Sequence, residues 1–166
     1  MVRVLAFAVF LALLGSCQGS SCSEIGCQDS AYITITTLNG EWAAGEYDLL
    51  VVLDGVEHAC SFTMPDDLSR GAFECEPSLS ALFVPRVTCT EHDDGDGFSQ
   101  TCTPIPNQFD IVITVLGTPA AARVELARDG ALLVDEAHTL EYRQSSPNGP
   151  ECSPHCDQAS LAIQIQ

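Results

Sequence analysis

FDIVITVLG, residues 109–117, decides the fold. Phe109, Ile111, Ile113 and Val115 take every second position, with Asp110, Val112 and Thr114 between them. A period of two belongs to a β-strand, whose side chains alternate between faces, and not to a helix of 3.6 residues per turn. The same period recurs on either side. AYITITTL (31–38) sets Ile33 and Ile35 against Thr34 and Thr36, TLEYR (139–143) alternates, and ASLAIQI (159–165) puts Leu161, Ile163 and Ile165 on one side. ARVELARDGALLV (122–134) predicts Val124 and Leu126 inward and Arg123 and Glu125 outward. Leu49 to Leu53 are apolar at every position, which predicts a central strand.

Turn chemistry separates these runs. Asn39-Gly40 marks a turn, Asp54-Gly55 and Asp129-Gly130 each sit between two apolar runs as hairpin signals, and Pro65 ends a strand over 56–64. No segment offers a helical repeat of ten residues or more. PDDLSRG (65–71) and PSLSALF (77–83) suit one turn each. About eight to ten short strands, with turns every 8–12 residues, predict an all-β protein, an antiparallel β-sandwich. Gly45-Glu46-Tyr47 running into Leu49–Val51 and then Asp54-Gly55 resembles the rhythm of bacterial immunoglobulin-like and prealbumin-like modules. That resemblance implies an immunoglobulin-like arrangement of the sandwich.

The chain of 166 residues has the length of one domain. It holds 23 acidic residues against six basic ones, all arginine, for a net charge of −17. Loss of Arg3 with a leader leaves five arginines against the same 23 acids, or −18. Such a surface repels the phosphates of nucleic acids and acidic lipid headgroups, so neither is an expected partner. The acidity does not mean disorder, because hydrophobic residues reach 46% and fall into periodic segments.

Residues 1–16 combine an early Arg3, an apolar run from Val4 to Leu14, and small Gly15-Ser16, the three parts of a secretory signal. The run is too short to span about 30 Å of hydrocarbon. Leu14-Gly15-Ser16-Cys17 resembles the lipobox of bacterial lipoproteins, in which the cysteine is acylated and becomes the first residue. The resemblance implies a lipid at Cys17 that tethers the protein to a membrane. Gln18, where an aspartate retains such proteins at the inner membrane, implies sorting to the outer membrane. Ordinary cleavage after Gly19 is the alternative. Residues 17–30 then form the lipidated cysteine and a short tether, and residues 31–166 a single β-sandwich domain.

The nine cysteines are odd in number, which acylation of Cys17 resolves. Eight remain, and an oxidising compartment favours disulfides. Cys60 and Cys75, and Cys89 and Cys102, lie on neighbouring strand-like segments and are expected to bridge adjacent strands, each closing a loop of about 15 residues worth about 3 kcal/mol. Cys22 and Cys27 precede the first strand; Cys152 and Cys156 precede the last. If those strands run parallel, as in immunoglobulin-like sandwiches, all four meet at one end; otherwise each pair closes locally. CSPHC (152–156) also permits a zinc site with Cys22 and Cys27, a reading the oxidising compartment disfavours.

EHDDGDG (91–97) is the strongest chemical candidate. Asp93, Asp94 and Asp96 offer the hard oxygen ligands of a calcium loop. The EF-hand pattern fails, because Gly97 at its sixth position leaves Thr103 at its twelfth. Turn geometry alone explains the same residues. His58, His92, His138 and His155 fit no catalytic spacing, and no G-x-S-x-G, H-E-x-x-H or phosphate-loop motif occurs. Trp42 suits either an exposed aromatic platform or a cap on the core. The tail SPNGPECSPHCDQASLAIQI is similar to tails of bacterial envelope lipoproteins, which implies no activity. The sequence thus predicts a lipid-anchored envelope module without catalysis that binds a protein or a glycan or serves a structural role. The alternative is a calcium-binding or hydrolytic envelope protein centred on 91–97.

Overall fold

Asp-Gly pairs set the two tight hairpins of one sheet. The computed structural model describes residues 26–75, 79–93 and 98–165. Among them the strands are β1 Ser30–Thr37, β2 Gly45–Leu53, β3 Val56–Met64, β4 Ala72–Cys75, β5 Leu79–Asp93, β6 Phe98–Leu116, β7 Ala121–Arg128, β8 Ala131–Thr139, β9 Arg143–Ser145 and β10 Cys156–Ile165. Asp54-Gly55 joins β2 to β3 with φ of 47° and 87°, and Asp129-Gly130 joins β7 to β8 with φ of 51° and 78°. Positive φ at both turn residues is the two-residue hairpin whose twist matches that of its strands. Both aspartates act a second time. Asp54 accepts hydrogen bonds from the amides of Ala120 and Ala121 at 3.0 and 2.9 Å, and Asp129 accepts one from Glu46 N at 3.0 Å. β2 and β7 pair antiparallel, giving the order β3-β2-β7-β8. The all-apolar segment 49–53 is therefore a central strand.

The second sheet has the order β4-β5-β6-β1-β10-β9. β1 lies inside it, parallel to β10 through Ile33↔Leu161 and Ile35↔Ile163, and antiparallel to β6 through Ile33↔Ile113 and Ile35↔Ile111. The chain is an antiparallel β-sandwich whose first and last strands run parallel, and disulfides staple it. A single 3₁₀ turn, Asp66–Arg70, follows Pro65. PSLSALF differs from its sequence expectation: residues from Leu79 on are strand, because Ala81 and Phe83 point into the core at a period of two.

Ile33, Ile35, Ile111, Ile113 and Ile163 share one buried core with Leu49, Val51, Val124 and Leu126. Each such side chain contributes about 1.5–3 kcal/mol on burial. Aromatic rings close one end. Phe62 stacks on Tyr47 at 5.0 Å and meets Phe73 at 4.8 Å and Phe83 at 5.5 Å. Trp42 stands edge-on to Tyr47 at 5.6 Å and is half-buried, so it caps the core and is not a free platform.

The two outer faces differ in charge. The outer positions of β2, β3, β7 and β8 carry Glu46, Asp48, Glu57, Arg123, Glu125 and Asp135. Arg123 Nε donates to Asp135 at 2.7 Å and its Nη2 to Glu125 at 3.1 Å. The hydrogen bond from Arg123 holds the Asp135 carboxyl below its ordinary range. A lowered carboxylate stabilises the fold above its unfolded value of about 4 and loses that contribution as pH falls through the folded value. Asp135→Asn is therefore expected to flatten the acid limb of the stability curve below about pH 4, with high salt erasing the difference because the pair is exposed. Acid titration of unfolding at low and high salt checks this; an identical limb in both proteins refutes it. The other face is nearly uncharged. Across the body of β5, β6, β1 and β10 its outer positions carry Leu82, Val84, Val112, Tyr32, Thr34 and Ala162, and Asp110 there is already paired with Arg86.

Candidate functional site

β5 and β6 have 15 and 19 residues, more than the sandwich needs. Their body portions pair as far as Pro85↔Phe109. Beyond, Val87–Asp93 pairs only with Phe98–Pro104, as a two-stranded arm clear of the core. Residues 87–92 and 99–104 are exposed. Thr88, Thr90, Thr101 and Thr103 supply the β-branched side chains that hold a ribbon extended. Cys89 and Cys102 sit directly opposite and are disulfide-bonded, with Cα atoms 4.0 Å apart. That spacing marks a non-hydrogen-bonded pair, for which about 4.5 Å is usual against about 5.5 Å for a hydrogen-bonded one.

The arm is fixed at its base. The register shifts between Pro85 and Val87, and residues 105–108 bulge out of the ladder with Asn107 at φ 60°. Arg86 fills the gap: its Nε and Nη2 donate to Asp110 at 3.0 and 2.9 Å, and Nη2 also reaches Thr37 O at 3.0 Å and Thr36 Oγ1. Gly40, at φ 80°, lies so close that a Cβ there would stand 2.7 Å from Arg86 Cδ. Phe109 N donates to Gly40 O at 2.8 Å, and Trp42 Nε1 to Phe109 O at 2.9 Å. A cleft of about 320 Å³ opens beside this base, lined by Trp42, Met64, Leu68 and Phe109 among others.

The arm also has a direction. β1 begins at Ser30 opposite Leu116, and its far end reaches Ile35 opposite Ile111. The arm leaves β6 beyond Asp110, so it projects from the end of the sandwich opposite Ser30. At the Ser30 end, Cys27 is bonded to Cys156 with Cα atoms 5.9 Å apart, and Asp29 accepts a hydrogen bond from Asp157 N at 2.8 Å.

The cysteines fall as follows. Cys27–Cys156 is a cross-link between the two chain segments, made possible by the parallel β1–β10 pair, and not a local closure. Cys60–Cys75 differs from the expected bridge between adjacent strands: β3 and β4 are edges of different sheets, so this disulfide clamps the sandwich shut. Cys152 is also disulfide-bonded. With Cys152 and Cys156 oxidised, CSPHC offers no thiolate for zinc. Disulfides at every described cysteine place the chain in an oxidising, exported setting. Cys17 and Cys22 lie outside the described residues.

The calcium candidate is not assembled within view. Asp93 ends β5 at the arm tip, and Asp94 and Asp96 lie outside the described residues. Among the described residues no three His, Cys, Asp or Glu side chains converge as a metal site. One nucleophile–base contact does occur: Ser146 Oγ lies 2.8 Å from His155 Nδ1. It is exposed, and among the described residues no carboxylate bonds the imidazole to orient it, so the geometry of a triad is absent there.

No protein-family model matches the chain, and no curated protein or solved structure matches it. The sequence places Cys89 and Cys102 on adjacent strands, but it does not show that these strands run on beyond the sandwich, nor does it show the Arg86 clamp. The Cys89–Cys102 staple holds an element with no core of its own. Cys89→Ser/Cys102→Ser is expected to leave the global unfolding midpoint nearly unchanged while amides of 87–93 and 98–103 exchange at least about tenfold faster. Hydrogen exchange by NMR with a parallel thermal melt checks this; a large fall in global stability refutes it.

Proposed function

We propose that this chain is a lipid-anchored module of a bacterial envelope, held at the outer membrane through Cys17, that binds or structurally supports a protein or glycan and performs no catalysis. The arm carries the reading: a disulfide-stapled, exposed ribbon that adds nothing to the core is a surface built for contact. Its direction supports the same conclusion, because a tether entering at Ser30 leaves the arm pointing away from the membrane. Cysteine counting supports the anchor. Seven of the nine cysteines are disulfide-bonded, Cys152 needs one of Cys17 and Cys22, and one thiol is left over. In this reading Cys22 joins Cys152, and Cys17 in Leu14-Gly15-Ser16-Cys17 takes the acyl chains. The net charge keeps nucleic acid from being the partner. The test is metabolic labelling with a palmitate analogue, combined with a photo-crosslinking residue at Thr101 in the native envelope. Label that disappears in Cys17→Ser, and cross-links to envelope material from the arm, are expected. Absent label on the wild type, label unchanged in Cys17→Ser, or an arm that cross-links nothing overturns the proposal.

A further inference from the structure

We infer that the open edge of the arm, Val87–Asp93 of β5, pairs antiparallel with the same edge of a second copy of this chain. The inference names a partner for the arm and so rests on the reading of the arm as a contact element.

A sheet edge with unpaired N–H and C=O groups is a template for another strand, and proteins usually blunt it. The other edges here are blunted. β4 and β9 are only four and three residues long. β8 sets Glu136 and His138 at inward register positions, opposite Val124 and Ala122. β3 has the Thr63 amide bonded to Asp67 at 2.7 Å and is tied to β4 through Cys60–Cys75. The arm edge of β5 is different. Because Cys89↔Cys102 is a non-hydrogen-bonded pair, the backbone groups of Val87, Cys89, Glu91 and Asp93 point outward, and each of these residues has an N–H to donate. On the β6 side the equivalent outward position opposite Val87 is Pro104, which has none, and the bulge at 105–108 with Pro106 turns the edge away.

Three features favour a second copy over another occupant. First, an antiparallel register centred on Thr90 sets Cys89 against Glu91, Thr88 against His92 and Val87 against Asp93, so no like charges face each other. Second, that arrangement holds the two sandwiches at opposite ends of a four-stranded ribbon. A chain of net charge −17 needs this separation, and stacking through the sheets would deny it. Third, the impaired β6 edge stops addition at two chains, giving a closed isologous pair and not a fibre.

The test uses the full chain carrying Cys17→Ser, so that it remains free of the membrane. Sedimentation equilibrium over a concentration series is expected to show the mass doubling, and Cys89 and Glu91 amides are expected to exchange at least about tenfold more slowly in the concentrated sample. Glu91→Pro removes an outward donor without touching the ladder to β6 and is expected to abolish the doubling, whereas Gln100→Pro on the other edge keeps it. A monomer at every concentration, or a dimer that survives Glu91→Pro with Cys89–Cys102 intact, overturns the inference. If the monomeric arm still cross-links to other envelope material, the pairing falls and the contact role of the arm stands; if it cross-links to nothing, both fall.

Discussion

Phe62→Ala is expected to cost about 3–5 kcal/mol of unfolding free energy, the range for emptying a buried aromatic site. Phe62 is 2% exposed and is the ring that the others share. It stacks on Tyr47, touches Phe73 at 4.8 Å and Phe83 at 5.5 Å, and meets Trp42 edge-on at 6.3 Å. Tyr47 and Phe62 belong to one sheet, Phe73 and Phe83 to the other, so the lost ring leaves a void between layers that neither backbone can close. Aromatic contacts add about 0.5–1.5 kcal/mol each beyond the area they bury. Phe62→Leu keeps most of the volume and is expected to lose less than half as much. Urea denaturation of the oxidised proteins measures both. A loss below about 1 kcal/mol for Phe62→Ala, the level of an ordinary substitution, would show that the rings do not join the sheets.

Cys60→Ala/Cys75→Ala is expected to lose about 3 kcal/mol from freeing a short loop, and to lose it globally. The two sulfurs are buried and join the edges of opposing sheets. Phe62 and Phe73 stand two residues from Cys60 and Cys75 on the same inner faces, so opening this edge also wets the rings. The contrast with Cys89–Cys102 is informative. The sequence separations are similar, 15 and 13 residues, and chain entropy alone assigns similar values. Only the first bridge constrains a core, so a chemical melt detects its removal, while removal of the second appears in local exchange. A double-mutant cycle of Phe62→Ala with the Cys60/Cys75 pair is expected to be non-additive, since both act on one seam. Additive losses, or a global melt insensitive to the Cys60/Cys75 pair, would refute the clamp.

The legible part of the fold was the part governed by alternation and by glycine. Ile33/Ile35, Ile111/Ile113 and Ile163 reveal their inner face in the sequence because a half-buried strand must sort its residues by face. Asp54-Gly55 and Asp129-Gly130 announce their turns because few other pairs tolerate positive φ twice in succession. The arm was harder to read. Cys89 and Cys102 point to two adjacent strands, but residues 87–92 have no buried face, so nothing in their pattern says that the pair leaves the sandwich. Arg86 and Asp110 are a long-range pair at a register break, and periodicity says nothing about such breaks. The placement of Cys60 and Cys75 in different sheets likewise depends on how the layers stack, which local pattern does not encode.

The position of β1 sets the order of events during folding. A polypeptide emerges with its amino end first, yet the strand beginning at Ser30 has Gln158 as its lateral neighbour, near the far end of the chain. The middle of the six-stranded sheet therefore stays incomplete until β10 has been delivered, while both hairpins of the smaller sheet can already have closed. Contacts of such long range make assembly slow. Until Cys156 arrives, Cys27 has no correct mate, while the thiols of Cys60, Cys75, Cys89 and Cys102 are already within the emerged chain. The insertion of β10 beside β1 therefore brings Cys156 to Cys27 and completes the middle of the sheet in one step.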